Sequence, residues 1–206
     1  IRARRKWARG WGVTQAERIL DAALTEAINA GVKGLSVDRV ARRVGLSRAT
    51  VYRYFASKDL LVSAMAEREA KRVLDRVEVV VRSQSNIQDQ VVEGFAAIIH
   101  LAREHPVVKK ILSSEPESIV HFLDGTTPVL GIVRNQVATR IHEHVPDVDA
   151  DAIADVIVRV GVTFLVVEDG NIKLSTANEA RAFARRFLAP MIDGTSKARL
   201  FPATRD

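Results

Sequence analysis

The stretch of sequence that decides the fold is VGLSRATVYRYFASKDLL, residues 44–61. Gly45 ends a short amphipathic segment and is the residue type favoured at a left-handed helix C-terminus. Ser47, two residues later, is a good N-cap for a short helix, and Ser57 and Lys58 start another. Two helices joined by such a tight glycine turn form a helix-turn-helix unit, whose second helix fits the major groove of DNA. The stretch therefore predicts a short, exposed recognition helix.

The sequence before this turn predicts two more helices. Thr14-Gln15-Ala16-Glu17 matches a capping box, and the apolar period after it continues to Gly31. Ser36 is a good N-cap for a second helix, in which four apolar residues share one face: Val37, Val40, Ala41 and Val44.

The outer face of the recognition helix carries residues that suit DNA. Val51 and Phe55 are spaced for the inner face, which leaves these residues outside: Arg48, Ala49, Thr50, Tyr52, Arg53 and Tyr54. Arginine, hydroxyl and small apolar groups contact phosphates and base edges. The alternative is a structural helical hairpin whose arginine face is simply solvated.

Residues 14–61 resemble the DNA-binding domain of the tetracycline-repressor (TetR) family of bacterial regulators. The resemblance is carried by Thr14–Gly31, Ser36–Ala41 and most specifically Gly45–Leu61, and it covers under a third of the chain. It implies an all-α fold with an N-terminal three-helix DNA-binding domain and a larger C-terminal helical domain that binds an effector and dimerises. The domain boundaries we expect are a basic flexible arm over 1–13, the DNA-binding domain over 14–61, and the helical body over 62–206.

The resemblance also implies a role for each matching position. Ser36 and Arg39 would face the phosphate backbone, and Tyr52 and Tyr54 would hold phosphates through their hydroxyls. Lys58 would bind phosphate at a helix N-terminus, where free N–H groups already favour anions. The full expected set of DNA-binding residues is Ser36, Arg39, Ser47, Arg48, Ala49, Thr50, Tyr52, Tyr54 and Lys58, with Arg48, Ala49 and Thr50 at base edges.

Charge is segregated along the chain. The formal net charge is +6, yet residues 1–68 hold 14 basic and 6 acidic side chains while residues 69–206 hold 17 and 19. A basic segment attached to a nearly neutral body is typical of a nucleic-acid-binding module. An arginine-rich genome would explain the choice of arginine over lysine but not the segregation. The arm 1–13 is interpreted as basic and flexible, or alternatively as an inert tail.

The remaining chain reads as helical throughout, without competing β-alternation. The apolar period and the breaks at Pro106, Pro116, Gly125 and Pro146 predict helices over about 57–83, 87–104, 107–113, 116–124, 128–144, 149–168 and 177–192. Over 152–167 the only polar residues are Asp155, Arg159 and Thr163, four apart, so the rest of that helix surface is apolar. Surplus apolar surface on the last two helices predicts a dimer interface through Val156, Val160, Phe164, Phe183, Phe187 and Met191. The alternative is that these residues form the domain's own core.

Family members bind a small molecule among the middle helices. The residues this implies here are Phe95, Ile98, Ile99, Phe122, Val129, Val133 and Phe164, with His100, His121 and Arg103 as polar contacts. Such a lining would suit a small hydrophobic effector, although each residue could instead be plain core.

Other chemistries find little support in the sequence. The chain has no cysteine, and no phosphate loop, nucleophile elbow or metalloprotease motif is present. His142-x-His144 places its two rings on different helix faces and is a weak metal site. We therefore expect no enzyme activity, no cofactor, no metal and no membrane span, and we expect the protein in the cytoplasm because no signal peptide is visible.

Two functions remain open on the sequence. One is a dimeric repressor that binds a palindromic operator and is released by an effector. The other is an architectural DNA-binding protein with no effector and no preferred site, which the basic arm would serve equally well.

Overall fold

The computed structural model describes residues 14–119, 128–167 and 170–193, and within them it is helical with no β-strand. The helices are α1 (Gln15–Gly34), α2 (Val37–Val44), α3 (Arg48–Tyr54), α4 (Lys58–Arg82), α5 (Ile87–Glu104), α6 (Pro106–Ser114), α7 (Val129–His144), α8 (Ala150–Val166) and α9 (Ala177–Phe183). The all-α prediction is confirmed, and most predicted boundaries lie within one or two residues of the observed ones. The predicted helix over 116–124 begins as a 3-10 turn, Pro116–Ile119, and its later part lies outside the described residues, as does the arm 1–13.

Helix starts follow the predicted capping residues. Ser36, Ser47 and Ser57 each accept a hydrogen bond from the backbone N–H three residues on, and Gly45 ends α2 at φ 71°. Thr14 likewise accepts from Glu17 N, but the Glu17 carboxylate pairs with Arg68 at 3.0 Å, so the predicted capping box is formed only in part. The second predicted capping box, Thr176 with Glu179, is complete. These starts depend on local sequence, which explains why they were predictable.

Gly31 divides α1 into two helical pieces. Its φ of 77° and ψ of 168° are essentially restricted to glycine. The predicted break at Gly31 is therefore confirmed, and the chain continues for one further helical turn before α2.

The first hydrophobic cluster joins the N-terminal helices to the body. Its members come from α1 to α3 together with Leu61, Val62 and Met65 of α4 and Val107 and Ile111 of α6. Helix α1 contacts both α4 and α6, so the N-terminal helices are joined to the body through side chains at and beyond residue 61.

The second hydrophobic cluster forms the core of the body. It contains buried residues of α5, α7, α8 and α9, among them Phe95, Ile99, Ile141 and Ile157. Three phenylalanines continue outward from this core: Phe183 lies 4.9 Å from Phe164 and 5.0 Å from Phe187 between ring centroids.

The last predicted helix departs from regular geometry. The sequence predicted one helix over 177–192, whereas the α-helix ends at Phe183, widens into a π-turn over Ala184–Leu188 and tightens into a 3-10 turn over Ala189–Ile192. Pro190 explains the correction, since proline has no N–H to donate and its ring clashes with the carbonyl four residues earlier.

Candidate nucleic-acid interface and body cavity

Helix α3 presents a short polar face to solvent. Ser47 Oγ accepts from Thr50 N at 3.1 Å and lies 2.9 Å from Thr50 Oγ1, which fixes the first turn. Arg48 and Ala49 are exposed, while Val51 on the opposite face is buried. The residues that the sequence assigns to base edges therefore lie together on the outer surface of the helix.

Arg48 is held in place by two neighbours. Its guanidinium donates to Tyr52 Oη at 3.3 Å and to Asp38 Oδ2 at 3.3 Å, and it lies 5.4 Å from the Tyr52 ring centroid. The hydrogen bond to Tyr52 and the charge of Asp38 raise the pKa of Arg48. The side chains of both Arg48 and Asp38 are more than half exposed, so this ion pair can exchange readily for a phosphate or a base.

The two tyrosines differ in their surroundings. Tyr54 is exposed, as the outward face predicts, whereas Tyr52 is half-buried and packs against the first hydrophobic cluster. The Tyr52 ring thus packs α3 against the first hydrophobic cluster, and the Tyr52 hydroxyl accepts a hydrogen bond from Arg48. Arg42 and Arg53 are exposed and have no ion-pair partner within the described residues. They are two candidate phosphate contacts outside the expected set of DNA-binding residues, although Arg53 was on the predicted outer face.

Arg39 has a structural contact that the sequence did not predict. Its guanidinium donates to Glu26 Oε2 at 2.5 Å and to Gly34 O at 2.6 Å, and Arg43 lies 3.3 Å from the other Glu26 oxygen. The Glu26 side chain is only 7% exposed, so its charge requires a partner inside the fold. Arg39 therefore ties α2 to α1, and its contact with the DNA backbone stays a prediction.

Lys58 also has a partner in the free protein. Its ammonium donates to Lys33 O at 2.7 Å, at the point where α1 ends and α4 starts. Ser36, three residues after Lys33, is the N-cap of α2. The predicted phosphate-binding positions Ser36 and Lys58 thus lie at helix N-termini, where anions are favoured.

Comparison with known proteins identifies this unit. Residues 19–65 match the profile of bacterial regulatory proteins, tetR family. The structure is similar to the TetR family repressor AlkX from Dietzia sp., with a TM-score of 0.67 and 16% identity over 89% of this chain and 97% of that one. The N-terminal unit matches the TetR family. The chain has the all-α architecture and the helix-turn-helix unit that the resemblance implied, and the TM-score with AlkX shows a shared fold.

Curated relatives match this chain over shorter stretches. A nucleoid occlusion factor, SlmA, of Haemophilus influenzae is 28% identical over 83 residues, 40% of this chain and 38% of that protein. An uncharacterized HTH-type transcriptional regulator of Mycobacterium tuberculosis is 25% identical over 115 residues, 56% of this chain and 57% of that protein. The chain thus spans between about a third and three-fifths of the curated relatives that it matches.

A cavity of about 310 Å³ lies between α4, α5, α6, α7 and α8. Five of the seven residues suggested for an effector site line it: Phe95, Ile98, Ile99, Val129 and Val133. Phe164 does not; it packs edge-on against Phe183 at the body surface. Phe122 and His121 lie outside the described residues.

The polar residues at the cavity differ from those expected. Arg103 donates to the backbone carbonyls of Phe164 and Leu174, and His100 lies on the other side of α5. The polar residues that line the cavity are instead Glu69, Glu78, Gln90, His105, Gln136 and Arg140. No sequence signal assigned them to a pocket, because five of them stand in amphipathic helices that were interpreted only for their apolar period and His105 lies at the break between α5 and α6.

An apolar face is exposed at the outer side of α8 and α9. Val156 and Phe187 are exposed, and Val160, Phe164, Phe183 and Met191 are half-buried around them. The stripe predicted along α8 is also present, since Arg159 pairs with Asp155 at 2.5 Å and Thr163 Oγ1 donates to Arg159 O. The six residues suggested for a dimer interface thus remain accessible on one protomer.

The described ranges contain no group of three or more residues suited to holding a metal ion. Among the same residues, no helix is both long and apolar enough to cross a bilayer.

Proposed function

We propose that the protein is a dimeric transcriptional repressor that binds a palindromic operator through α2 and α3 and releases it when a small hydrophobic effector enters the body cavity. The observation that carries the proposal is a sharing of side chains between the two regions. Met65, Val107 and Ile111 belong to the first hydrophobic cluster and also line the cavity. A ligand in the cavity would contact the same side chains on which the DNA-binding helices are packed.

The DNA-binding part of the proposal rests on the exposed face of α3. Arg48, Ala49 and Thr50 would read base edges, and the Tyr52 and Tyr54 hydroxyls with Lys58 would hold phosphates. Arginine can bridge a guanine with two hydrogen bonds, and alanine can contact a thymine methyl. Residues 14–61 would act as the DNA-binding domain, residues 62–206 as the effector-binding and dimerisation domain, and residues 1–13 as a basic arm.

The dimeric part rests on the apolar face of α8 and α9. One recognition helix makes too few base contacts for a specific site, and two-fold symmetric dimers read paired half-sites one helical turn apart. Val156 and Phe187, both more than two-fifths exposed, would be covered by the second copy of the chain.

The proposal is tested first by selecting genomic fragments that bind the purified protein at about 0.15 M salt, a condition at which non-specific binding is weak. An inverted repeat near a promoter is expected. Fluorescence anisotropy on that fragment then compares variants: Tyr54→Phe and Lys58→Ala should weaken all DNA alike, while Arg48→Ala should relax base preference.

Lys71→Ala is the matched control for Lys58→Ala. Lys71 is an exposed lysine of the body that pairs with Glu67, so its loss removes the same charge far from α3. If none of the three interface substitutions changes binding, the assignment of α3 is wrong.

An architectural DNA-binding protein is the second candidate. It is favoured by the basic first third of the chain and by the partial likeness to a nucleoid occlusion factor. Competition with bulk genomic DNA separates the two, because a specific regulator prefers its site by about a thousandfold or more and an architectural protein by little.

A further inference from the structure

We infer that the body cavity takes an uncharged aliphatic chain, and that Glu78 excludes the carboxylate of the same length by pairing with Arg140. The inference rests on the proposed function, since it names the ligand class for the same cavity. Its basis is the shape of the cavity and the ion pairs that Glu69, Glu78 and Arg140 make along its described wall.

The cavity is elongated. Its lining residues recur along α4 from Met65 to Val81, and along α5 from Gln90 to Ala102. At a rise of 1.5 Å per residue, the stripe on α4 is about 24 Å long. A flexible chain can follow such a stripe over its whole length.

The cavity wall is aliphatic. Phe95 is the one aromatic residue among its described lining, and the remainder is mostly valine, leucine, isoleucine and alanine. Planar aromatic ligands gain from stacking on aromatic side chains, and few are offered here. The wall therefore favours an aliphatic ligand.

The cationic group at the wall is already paired. Arg140 donates to Glu78, and Gln136 Nε2 donates to the other oxygen of that carboxylate at 3.4 Å. Arg82, which lies 2.6 Å from the first oxygen, is 75% exposed and does not line the cavity. These contacts hold the pKa of Glu78 below its usual value, chiefly through the hydrogen bond from Arg140. A ligand carboxylate would have to displace Glu78 from Arg140.

The acidic group toward the other end of the stripe is neutralised as well. Glu69 lies 2.9 Å from Arg72 and 3.1 Å from Arg68. A cationic ligand therefore finds no unpaired anion at this position. Burying a charge without a partner is costly, so both ionic classes are disfavoured.

The cavity can accommodate one neutral polar group of a ligand beside Gln90. Gln90 Nε2 donates to Gln84 O at 3.4 Å, and its buried Oε1 has no hydrogen-bond partner. A hydroxyl can satisfy such an acceptor, which makes a primary alcohol a suitable probe.

The test is calorimetric titration of the full chain, without DNA, with 1-dodecanol and with dodecanoate at pH 7.5. Dodecanol is expected to bind at least about tenfold more tightly, because the ligand carboxylate would have to displace Glu78 from Arg140. Glu78→Gln keeps the shape but frees Arg140, so dodecanoate affinity should rise about tenfold while dodecanol affinity stays within about twofold.

Glu93→Gln is the matched control. Glu93 pairs with Arg181 on the far side of α5 and does not line the cavity, so neither affinity should change. Equal wild-type affinities for the two probes, no binding of either, or no gain of dodecanoate in Glu78→Gln would each overturn the inference. Binding of dodecanol also shows that each variant is folded.

A separate anisotropy measurement with operator DNA distinguishes this inference from the proposed function. If dodecanol binds as expected but leaves DNA bound, the ligand class stands and the release mechanism fails. If DNA is released equally by dodecanol and dodecanoate, the release mechanism stands and the charge exclusion fails.

Discussion

Replacing Gly31 with alanine should destabilise the joint between the DNA-binding helices and the body. Gly31 has φ 77° and ψ 168°, a region that other residues enter at a cost of about 1–3 kcal/mol. An alanine Cβ would also lie 1.8 Å from Glu115 Oε1. The Glu115 carboxylate would have to leave, although it accepts hydrogen bonds from Lys33 N at 3.2 Å and from Ser118 Oγ at 3.3 Å.

Both effects lower the free energy of unfolding. Each of the two displaced hydrogen bonds contributes about 1 kcal/mol, and because both are partly exposed their joint contribution is no more than about 2 kcal/mol. Alanine offsets about 0.4–1 kcal/mol of this loss, because it lowers the conformational entropy of the unfolded chain relative to glycine. The expected net loss for Gly31→Ala is about 2–4 kcal/mol, measured as the shift in the urea unfolding midpoint multiplied by the slope.

Two further variants make this measurement decisive. Gly34→Ala is the matched control, because Gly34 has an ordinary φ and its added Cβ would meet only the Ala30 Cβ at 3.2 Å. It should change the free energy of unfolding by less than about 1 kcal/mol. Introducing Gly31→Ala into a Glu115→Ala background should leave only the backbone cost. Equal effects of the two glycine substitutions would refute the reasoning.

Three other predictions concern charge and assembly. Glu26→Gln should lower the free energy of unfolding by about 1.5–3 kcal/mol at pH 7. Hydrogen bonding to Arg39 lowers the pKa of Glu26, so this stabilisation is present above the unfolded pKa of about 4.3 and is lost as pH falls through the lower folded pKa. Asp38→Asn frees Arg48 and should raise DNA affinity about two- to fivefold, as anisotropy would show. Phe164→Asp should yield monomers in sedimentation velocity, since it places a charge in the proposed interface.

Each of these has a control in the same chain. Glu67→Gln removes a partly exposed carboxylate and should leave the unfolding midpoint nearly unchanged. An equal loss in both variants would contradict the stabilising role of the buried Glu26 with Arg39 and Arg43. Glu143→Gln changes charge in the body and should leave DNA affinity alone. Ile172→Asp alters an exposed apolar residue outside the proposed interface, so the dimer should persist there. A Phe164→Asp dimer would exclude this interface.

The predictable part of the structure was local. Ser36, Ser47 and Ser57 cap helices through bonds that span three residues, and the recognition-helix face follows from a period within one short helix. Five cavity residues were found because the family resemblance implies a ligand among the middle helices. The contacts of Glu26 with Arg39 and Arg43 could not be predicted, because ion-pair partners are chosen by packing between helices.

Longer-range features required the structure. Gly31 and Glu115 meet across more than eighty residues of chain, and no pattern near either residue indicates the other. The pairing of Glu78 with Arg140 joins α4 to α7 in the same way. Pro190 was visible in the sequence, but the apolar period around it continued and concealed the change to π and 3-10 geometry. Phe164 was predicted both in the cavity and at the interface; its contact with Phe183 places it outside the cavity, and the interface stays a prediction.

The shared core has a consequence for building chimeric regulators. Exchanging residues 14–61 between relatives treats the DNA-binding part as a portable module. In this chain Val107 and Ile111 of α6 fill that part's interior, and both are less than a tenth exposed. A transplanted segment would meet a foreign α6 and leave either voids or overlaps, each methylene of mismatch costing on the order of 1 kcal/mol. A functional graft should therefore carry α6 along with the recognition helix, and its success would be limited by interior fit before operator choice is ever tested.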